Sequence, residues 1–232
     1  MNDKASSKRS KSQNKATQSR SRRQAKPLTS SSGRKQYLIL YNLLSALLWL
    51  IILGRVLLLV PLLGFELVHQ GVGKFTLLTQ SMALLEVVHS ASGIVRAPIT
   101  TTAMQVASRL LLVWGIVLPF PYLAQSPAYS SMLIAWSVTE VIRYSYFVFN
   151  LSGYNPRIVT WLRYNTFYVL YPIGISSECW LILKAISPAG QIHHILARAL
   201  QICILIYIPG SYILFTHMIA QRKKVMKAQK ST

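Results

Sequence analysis

Tyr37-Leu-Ile-Leu-Tyr-Asn-Leu-Leu-Ser-Ala-Leu-Leu-Trp-Leu-Ile-Ile-Leu-Gly-Arg-Val-Leu-Leu-Leu-Val-Pro-Leu-Leu63 carries one charged residue, Arg55, in 27 positions. A helix rises 1.5 Å per residue, so about 20 apolar residues cross a hydrocarbon layer about 30 Å thick. Residues 37–63 are therefore read as a transmembrane helix, and the chain as an integral membrane protein. Five more apolar segments follow, at 76–95, 106–124, 130–150, 159–183 and 196–219. Those at 106–124 and 196–219 stand on hydropathy alone, whereas 76–95, 130–150 and 159–183 also carry polar residues. Turn formers separate them: Pro61 and Gly64, Pro98, Pro119 to Pro127, Gly153 to Pro156, and Ser187 to Gly190. The expected fold is all-α and polytopic, a bundle of six transmembrane helices over 36–220.

Composition agrees. The 232 residues are 52% hydrophobic and only 13% charged, too little charge to cover a soluble domain of this size. The net charge of +20 comes from 25 Lys and Arg against 5 Asp and Glu. Eleven of those basic residues lie in 1–35 and five between Arg222 and Lys230. Neither end holds an aromatic residue, which argues against a nucleic-acid partner and for solvated tails beside an anionic leaflet. Residues 1–35, made of Ser, Lys, Arg, Gln and Ala, bury too little to offset ordering entropy and are expected to be a disordered cytosolic tail. They lack the apolar helix face of a mitochondrial presequence, and the apolar run begins too late for a signal peptide. Residues 221–232 are read as a second basic cytosolic tail. Cys179 and Cys203 lie in apolar stretches without metal-ligand spacing and are read as buried free thiols.

An even number of spans puts both basic ends on one side, and the positive-inside rule makes that side the cytosol. Arg96 and Arg157 then lie in cytosolic loops, with Arg109, Arg143 and Arg163 near helix ends. The glycosylation pattern Asn150-Leu151-Ser152 falls at a cytosolic end and is expected to be unmodified.

Three carboxyls fall within the spans: Glu86, Glu140 and Glu178. A charge at mid-bilayer costs about 3 kcal/mol, so each needs a partner or a functional cavity. Glu140 shares a helix face with Arg143 and Tyr144, which suggests an ion pair bracing the bundle, with substrate grip as the alternative. Glu86 is followed at the same spacing by His89, either a structural contact or an acid–base pair. Glu178 has no basic residue within a turn; Lys184 is the nearest. Tyr171 precedes it by seven residues, which puts the two within about 20° of one face and about 10.5 Å apart along the axis. Tyr164 and Tyr168 extend that face, and Pro172 and Gly174 could distort the helix and draw Tyr171 and Glu178 together. A Pro-kinked span with packed Tyr and a hydrogen-bonded Glu fits the spacing equally well.

Residues 87–96, Val-Val-His-Ser-Ala-Ser-Gly-Ile-Val-Arg, imitate a tyrosine-phosphatase loop. Ser90 stands where the Cys nucleophile belongs and lacks its low pKa, so phosphatase chemistry is not expected.

Several runs together resemble the very-long-chain (3R)-3-hydroxyacyl-CoA dehydratase family, also called protein-tyrosine-phosphatase-like. They are Tyr37 to Asn42, Leu85-Glu86-Val-Val-His89-Ser90 through Arg96-Ala97-Pro98, and Gln105-Val-Ala-Ser-Arg109. Ser130 through Trp136 to Glu140-Val-Ile-Arg143-Tyr144 follows, then Trp161-Leu-Arg163-Tyr164 on to Tyr171-Pro172-Ile-Gly174-Ile-Ser-Ser-Glu178. The Ser-Ser-Glu ending is most similar to fungal or plant members; the long basic N-terminal tail departs from the family.

The resemblance implies dehydration of a (3R)-3-hydroxyacyl-CoA to the trans-2-enoyl-CoA in fatty acid elongation, with Tyr171 and Glu178 as the essential pair. It implies an endoplasmic reticulum membrane location, an acyl-CoA substrate, and elongase and reductases as neighbours. Beta-elimination needs a base at C2 and an acid at the leaving hydroxyl, but no metal or redox cofactor. Glu178 as base and Tyr171 as acid suit it, and the reverse assignment stays open. Glu86, His89, Gln105, Glu140, Arg143 and Tyr144 are supporting candidates, and a cavity open to the cytosol would let Arg96, Arg109, Arg157 or Arg163 meet the CoA phosphates. The competing class is a non-catalytic scaffold or transporter with structural intramembrane Glu and Arg, although no internal repeat supports a transporter. A desaturase or acyltransferase would need more His than the adjacent His193 and His194.

Overall fold

Proline and glycine set several of the helix ends, but the turn expected at Ser187 to Gly190 lies inside a helix. The computed structural model describes residues 32–230 and has no strand among them. Helix α1 (Ser32–Leu63) ends at Gly64, whose φ of 80° is a left-handed conformation that a side chain would resist. A 3-10 turn (Phe65–Leu67) keeps Glu66 outside the apolar segments, as expected. Helices α2 (Val68–Ser81) and α3 (Leu84–Ala91) follow. Pro98 precedes α4 (Ile99–Leu110), which widens into a π-helical stretch (Leu111–Val117). After a 3-10 turn (Pro121–Gln125), α5 (Pro127–Ser152) starts with Pro at its first position and stops at Gly153, φ 86°. Helices α6 (Arg157–Asn165), α7 (Phe167–Ile192) and α8 (His194–Lys230) complete the chain.

Residues 37–230 form one compact unit, and of the segment before it only residues 32–36 are described, within α1. The remainder of the expected tail, 1–31, and residues 231–232 lie outside the described residues. Within that unit, α7 packs against both α5 and α8. Trp49, Ile52, Leu112, Ile116, Leu133, Leu181 and Ile182 form the core. Elsewhere the chain turns its apolar residues outward: Leu40 is 65% exposed and Leu205 69%. A soluble surface does not tolerate so much contiguous apolar area, whereas lipid does.

Among the described residues, four helical stretches are long and apolar enough to cross a membrane: Ser32–Leu63, Ile99–Val117, Phe167–Ile192 and His194–Lys223. The segment at 76–95 is instead divided, because the turn at Met82-Ala83 tightens: Ala83, Leu85 and Glu86 donate to Gln80, Met82 and Ala83. The segment at 159–183 is divided at Thr166. There the Asn165 and Thr166 side chains donate to the carbonyls of Trp161 and Leu162, and the Thr166 N–H also donates to Leu162 at 3.0 Å. Tyr164 therefore belongs to α6 and does not extend the α7 face. The third segment begins earlier than expected, at Ile99, and the last runs on to Lys230. Cys179 and Cys203 are free, and half-buried rather than buried.

Candidate active site

Two carboxyls in this bundle meet cations. Arg143, on α5, lies at the centre: its two terminal nitrogens donate to the two Glu86 oxygens at 2.8 Å each, a bidentate pair. Its Nε donates to Glu140 Oε2 at 2.7 Å, one turn away on the same helix. Arg109, from α4, donates to the other Glu140 oxygen, and the Tyr144 hydroxyl donates to Glu86. Two arginines and two glutamates thus tie α3, α4 and α5 together with balanced charge. Glu140 is only 1% exposed, and such a charge is tolerated only when paired on this scale. The Glu140–Arg143 pair expected from spacing is present, enlarged by Arg109. Glu86 and His89, expected to meet, do not: Glu86 is held by Arg143 and Tyr144, while His89 Nε2 shares a 2.8 Å hydrogen bond with the Tyr37 hydroxyl. Gln105 lines a small cavity of about 20 Å³ beside this array.

Glu178 is placed differently. It lies on α7, buried between α5 and α8, and no ion pair reaches it among the described residues. Lys184, the nearest base in sequence, sits over the Trp180 ring at 4.8 Å instead. Two neutral donors hold the carboxyl: Trp136 Nε1 on α5 donates to Oε1 at 2.6 Å, and the Tyr207 hydroxyl on α8 donates to Oε2. Trp136 also stacks under Arg109, 4.9 Å from guanidinium to ring centroid, so the ion-pair array touches the Glu178 site through one indole. Tyr171 is not drawn toward Glu178, because α7 runs unbroken through Pro172. Its hydroxyl donates to the Ser211 carbonyl on α8 at 2.9 Å, and its ring stacks on Phe215 at 5.7 Å.

The description "Protein tyrosine phosphatase-like protein, PTPLA" matches residues 80–228, well over half of the chain. The chain belongs to this family. Relatives of the PTPLA-family chain include a probable very-long-chain (3R)-3-hydroxyacyl-CoA dehydratase of Schizosaccharomyces pombe, 46% identical over 194 residues, which are 83% of this chain and 93% of the relative. The Arabidopsis thaliana dehydratase PASTICCINO 2 is 35% identical over 211 residues, 85% of this chain and 96% of the relative. Very-long-chain (3R)-3-hydroxyacyl-CoA dehydratase 2 of Homo sapiens is 34% identical over 204 residues, 82% and 80% of the two chains. No solved structure matches. In the stretch that imitates a phosphatase loop, Ser90 sits in the last turn of α3 and its Oγ donates to the Ala97 carbonyl at 2.7 Å.

The remaining expected residues divide by position. Arg96 and Arg157 are exposed in loops or at a helix start, and Arg163 is half-buried over the Tyr146 ring at 4.4 Å. Arg109 faces inward onto Glu140 and not outward. Sequence reasoning assigned no role to Trp136, Tyr207 or Ser211. Trp136 and Glu178 are 42 residues apart, and Tyr207 and Glu178 are 29 apart, separations that no helical period connects. The one local signal is a Tyr two residues before Pro209-Gly210 inside an apolar span.

Proposed function

We propose that the chain dehydrates (3R)-3-hydroxyacyl-CoA to the trans-2-enoyl-CoA in very-long-chain fatty acid elongation, with Glu178 as base and Tyr171 as acid. The observation that carries the assignment is the state of Glu178, a buried carboxyl with neutral donors and no cation. Glu86 and Glu140 are committed to arginines; Glu178 keeps lone pairs able to take a proton. In the proposed step Glu178 removes the C2 proton, the C3–O bond breaks, and Tyr171 protonates the departing hydroxyl to give water. The Tyr171 hydroxyl exchanges its bond with the Ser211 carbonyl for the substrate hydroxyl as it does so. The arginine–glutamate array is then structural, with Gln105 lining the small cavity beside it and His89 held by Tyr37.

A cavity of about 350 Å³ between α1, α5 and α7, lined by Val60, Ile134, Ser177 and Trp180, opens beside the residue preceding Glu178. Its size and apolar walls suit part of a long acyl chain. The proposed arrangement has six spans, with α2–α3 and α5 as the second and fourth, in the endoplasmic reticulum membrane. The basic ends support placing both termini in the cytosol, where Arg96, Arg157 and Arg163 can meet the CoA phosphates and elongase and reductases can exchange substrates.

Purified protein in detergent should convert a long-chain (3R)-3-hydroxyacyl-CoA to a product lighter by one water, and Tyr171→Phe should lose about a hundredfold or more in kcat while folding normally. Undiminished turnover in Tyr171→Phe would move the acid elsewhere, and a folded but inactive wild type would sink the assignment. Arg96→Ala with Arg157→Ala should raise KM several-fold with little change in kcat, as expected of binding shared by ground and transition states. A fall confined to kcat would argue against phosphate contacts.

A further inference from the structure

A carboxylate that must take a proton from carbon gains from being held in one orientation, because a base turned by a rotamer no longer meets the C–H bond. Packing from α7 alone does not fix the Glu178 carboxyl plane. Two donors do: the Trp136 indole N–H at 2.6 Å from Oε1, and the Tyr207 hydroxyl on Oε2. They come from two different helices, α5 and α8. Trp136 is itself buried and backed by Arg109. Tyr207 is half-buried, on a helix that joins α7 through the single extended residue His193.

Helix α8 contacts both members of the acid–base pair. Tyr207 reaches Glu178, and the Ser211 carbonyl, one turn further along, receives the Tyr171 hydroxyl. Because α7 and α8 run antiparallel from a short joint, the register of one against the other sets both contacts together. Of the two phenols in these contacts, Tyr207 is the one whose hydroxyl meets the Glu178 carboxyl.

We propose that Tyr207 is a positioning residue of the dehydratase, its hydroxyl orienting Glu178 for removal of the C2 proton. The proposal rests on Glu178 being the base. Each carboxylate oxygen offers two lone pairs, and the two neutral donors occupy one on each, leaving the others for the substrate. A hydrogen bond to an ionised acceptor is about twice as strong as a neutral one, so the hydroxyl also helps to hold the carboxylate between turnovers. Tyr207 does not touch the reacting carbon; it acts through Glu178.

The test is a double-mutant cycle on the purified full chain, with kcat, KM and melting temperature measured for wild type, Tyr207→Phe, Glu178→Asp and the double variant. Tyr207→Phe keeps the ring and its packing, so melting should stay at the wild-type temperature. Its kcat should fall about tenfold to a hundredfold with KM within about twofold, as loss of one hydrogen bond to a charged group predicts. In Glu178→Asp the shortened carboxyl no longer reaches the hydroxyl, so adding Tyr207→Phe should cost nothing further. An unchanged kcat in Tyr207→Phe, or an equal proportional loss in both backgrounds, would overturn the proposal while leaving Glu178 as base. A Glu178→Asp enzyme at full kcat would likewise overturn the Tyr207 role, because a carboxylate without that contact would then work as well, whereas full kcat in Glu178→Gln would overturn the base assignment itself. Should Tyr207→Phe melt early, Trp136→Phe, which removes the opposite donor, should show the same non-additivity with Glu178→Asp; proportional losses there would also count against the proposal.

Discussion

Glu178→Gln is expected to lower the dehydration rate by about a hundredfold to ten-thousandfold, the range that a positioned general base contributes. The substitution is close to isosteric, and the Trp136 and Tyr207 donors can still meet the amide oxygen, so the fold should survive. What disappears is the lone pair basic enough to accept a proton from carbon. Two readouts separate that loss from a packing defect. The first is kcat with a long-chain (3R)-3-hydroxyacyl-CoA, alongside the melting temperature in detergent. The second is run in the reverse direction: enoyl-CoA hydrated in deuterated solvent acquires deuterium on a single face of C2 where a positioned enzyme group delivers it. Glu178→Gln should lose both, with melting little changed. Retained turnover would shift the base to another group, and a large fall in melting temperature would mean that the carboxyl is structural. No ion pair holds Glu178, so no stranded arginine confuses the result, in contrast with the other two intramembrane glutamates.

The membrane class was legible in the sequence because it depends on a local property, the length of apolar runs. Residues 37–63 and 196–219 read correctly as helices on hydropathy alone. Helix breaks were less legible. The segment at 159–183 is divided at Thr166, and nothing in its hydropathy marks that. Likewise Pro172, a conventional sign of a kink, sits inside an unbroken α7. The site was legible only within single helices. Spacing of three residues gave Glu140–Arg143 correctly, but the same spacing misled for Glu86–His89, because an arginine 57 residues away outcompeted the local histidine. The seven-residue spacing put Tyr171 and Glu178 on one face about two turns apart, without showing that each contacts α8 and not the other. Contacts between helices depend on register, which one sequence does not encode in any local pattern.

Arg143→Met should produce the largest loss of stability of any single substitution in the array. The guanidinium contacts Glu86 through two nitrogens and Glu140 through a third, so its removal strands two carboxylates in the apolar bundle at once. Arg109 still compensates part of Glu140, and Tyr144 still donates to Glu86, but no other cation reaches Glu86 among the described residues. Breaking a buried pair by removing one partner costs about 3–5 kcal/mol. Thermal unfolding in detergent would report that as a drop of many degrees, accompanied by loss of activity from unfolding rather than from chemistry. The diagnostic variant is the double substitution Arg143→Met with Glu86→Gln, which removes the carboxylate left without a cation along with its partner and leaves Arg109 paired with Glu140. It should recover much of the lost stability, because replacing a whole buried ion pair by neutral groups of similar volume is far less costly than halving it. Failure of the double variant to recover would mean that Arg143 supports the bundle by its packing and its stacking over Tyr144, at 4.3 Å, and not through its charge. Recovery of stability together with activity would go further, showing that the Arg143–Glu86 pair braces the bundle and that Glu178 acts without the Arg143 cation.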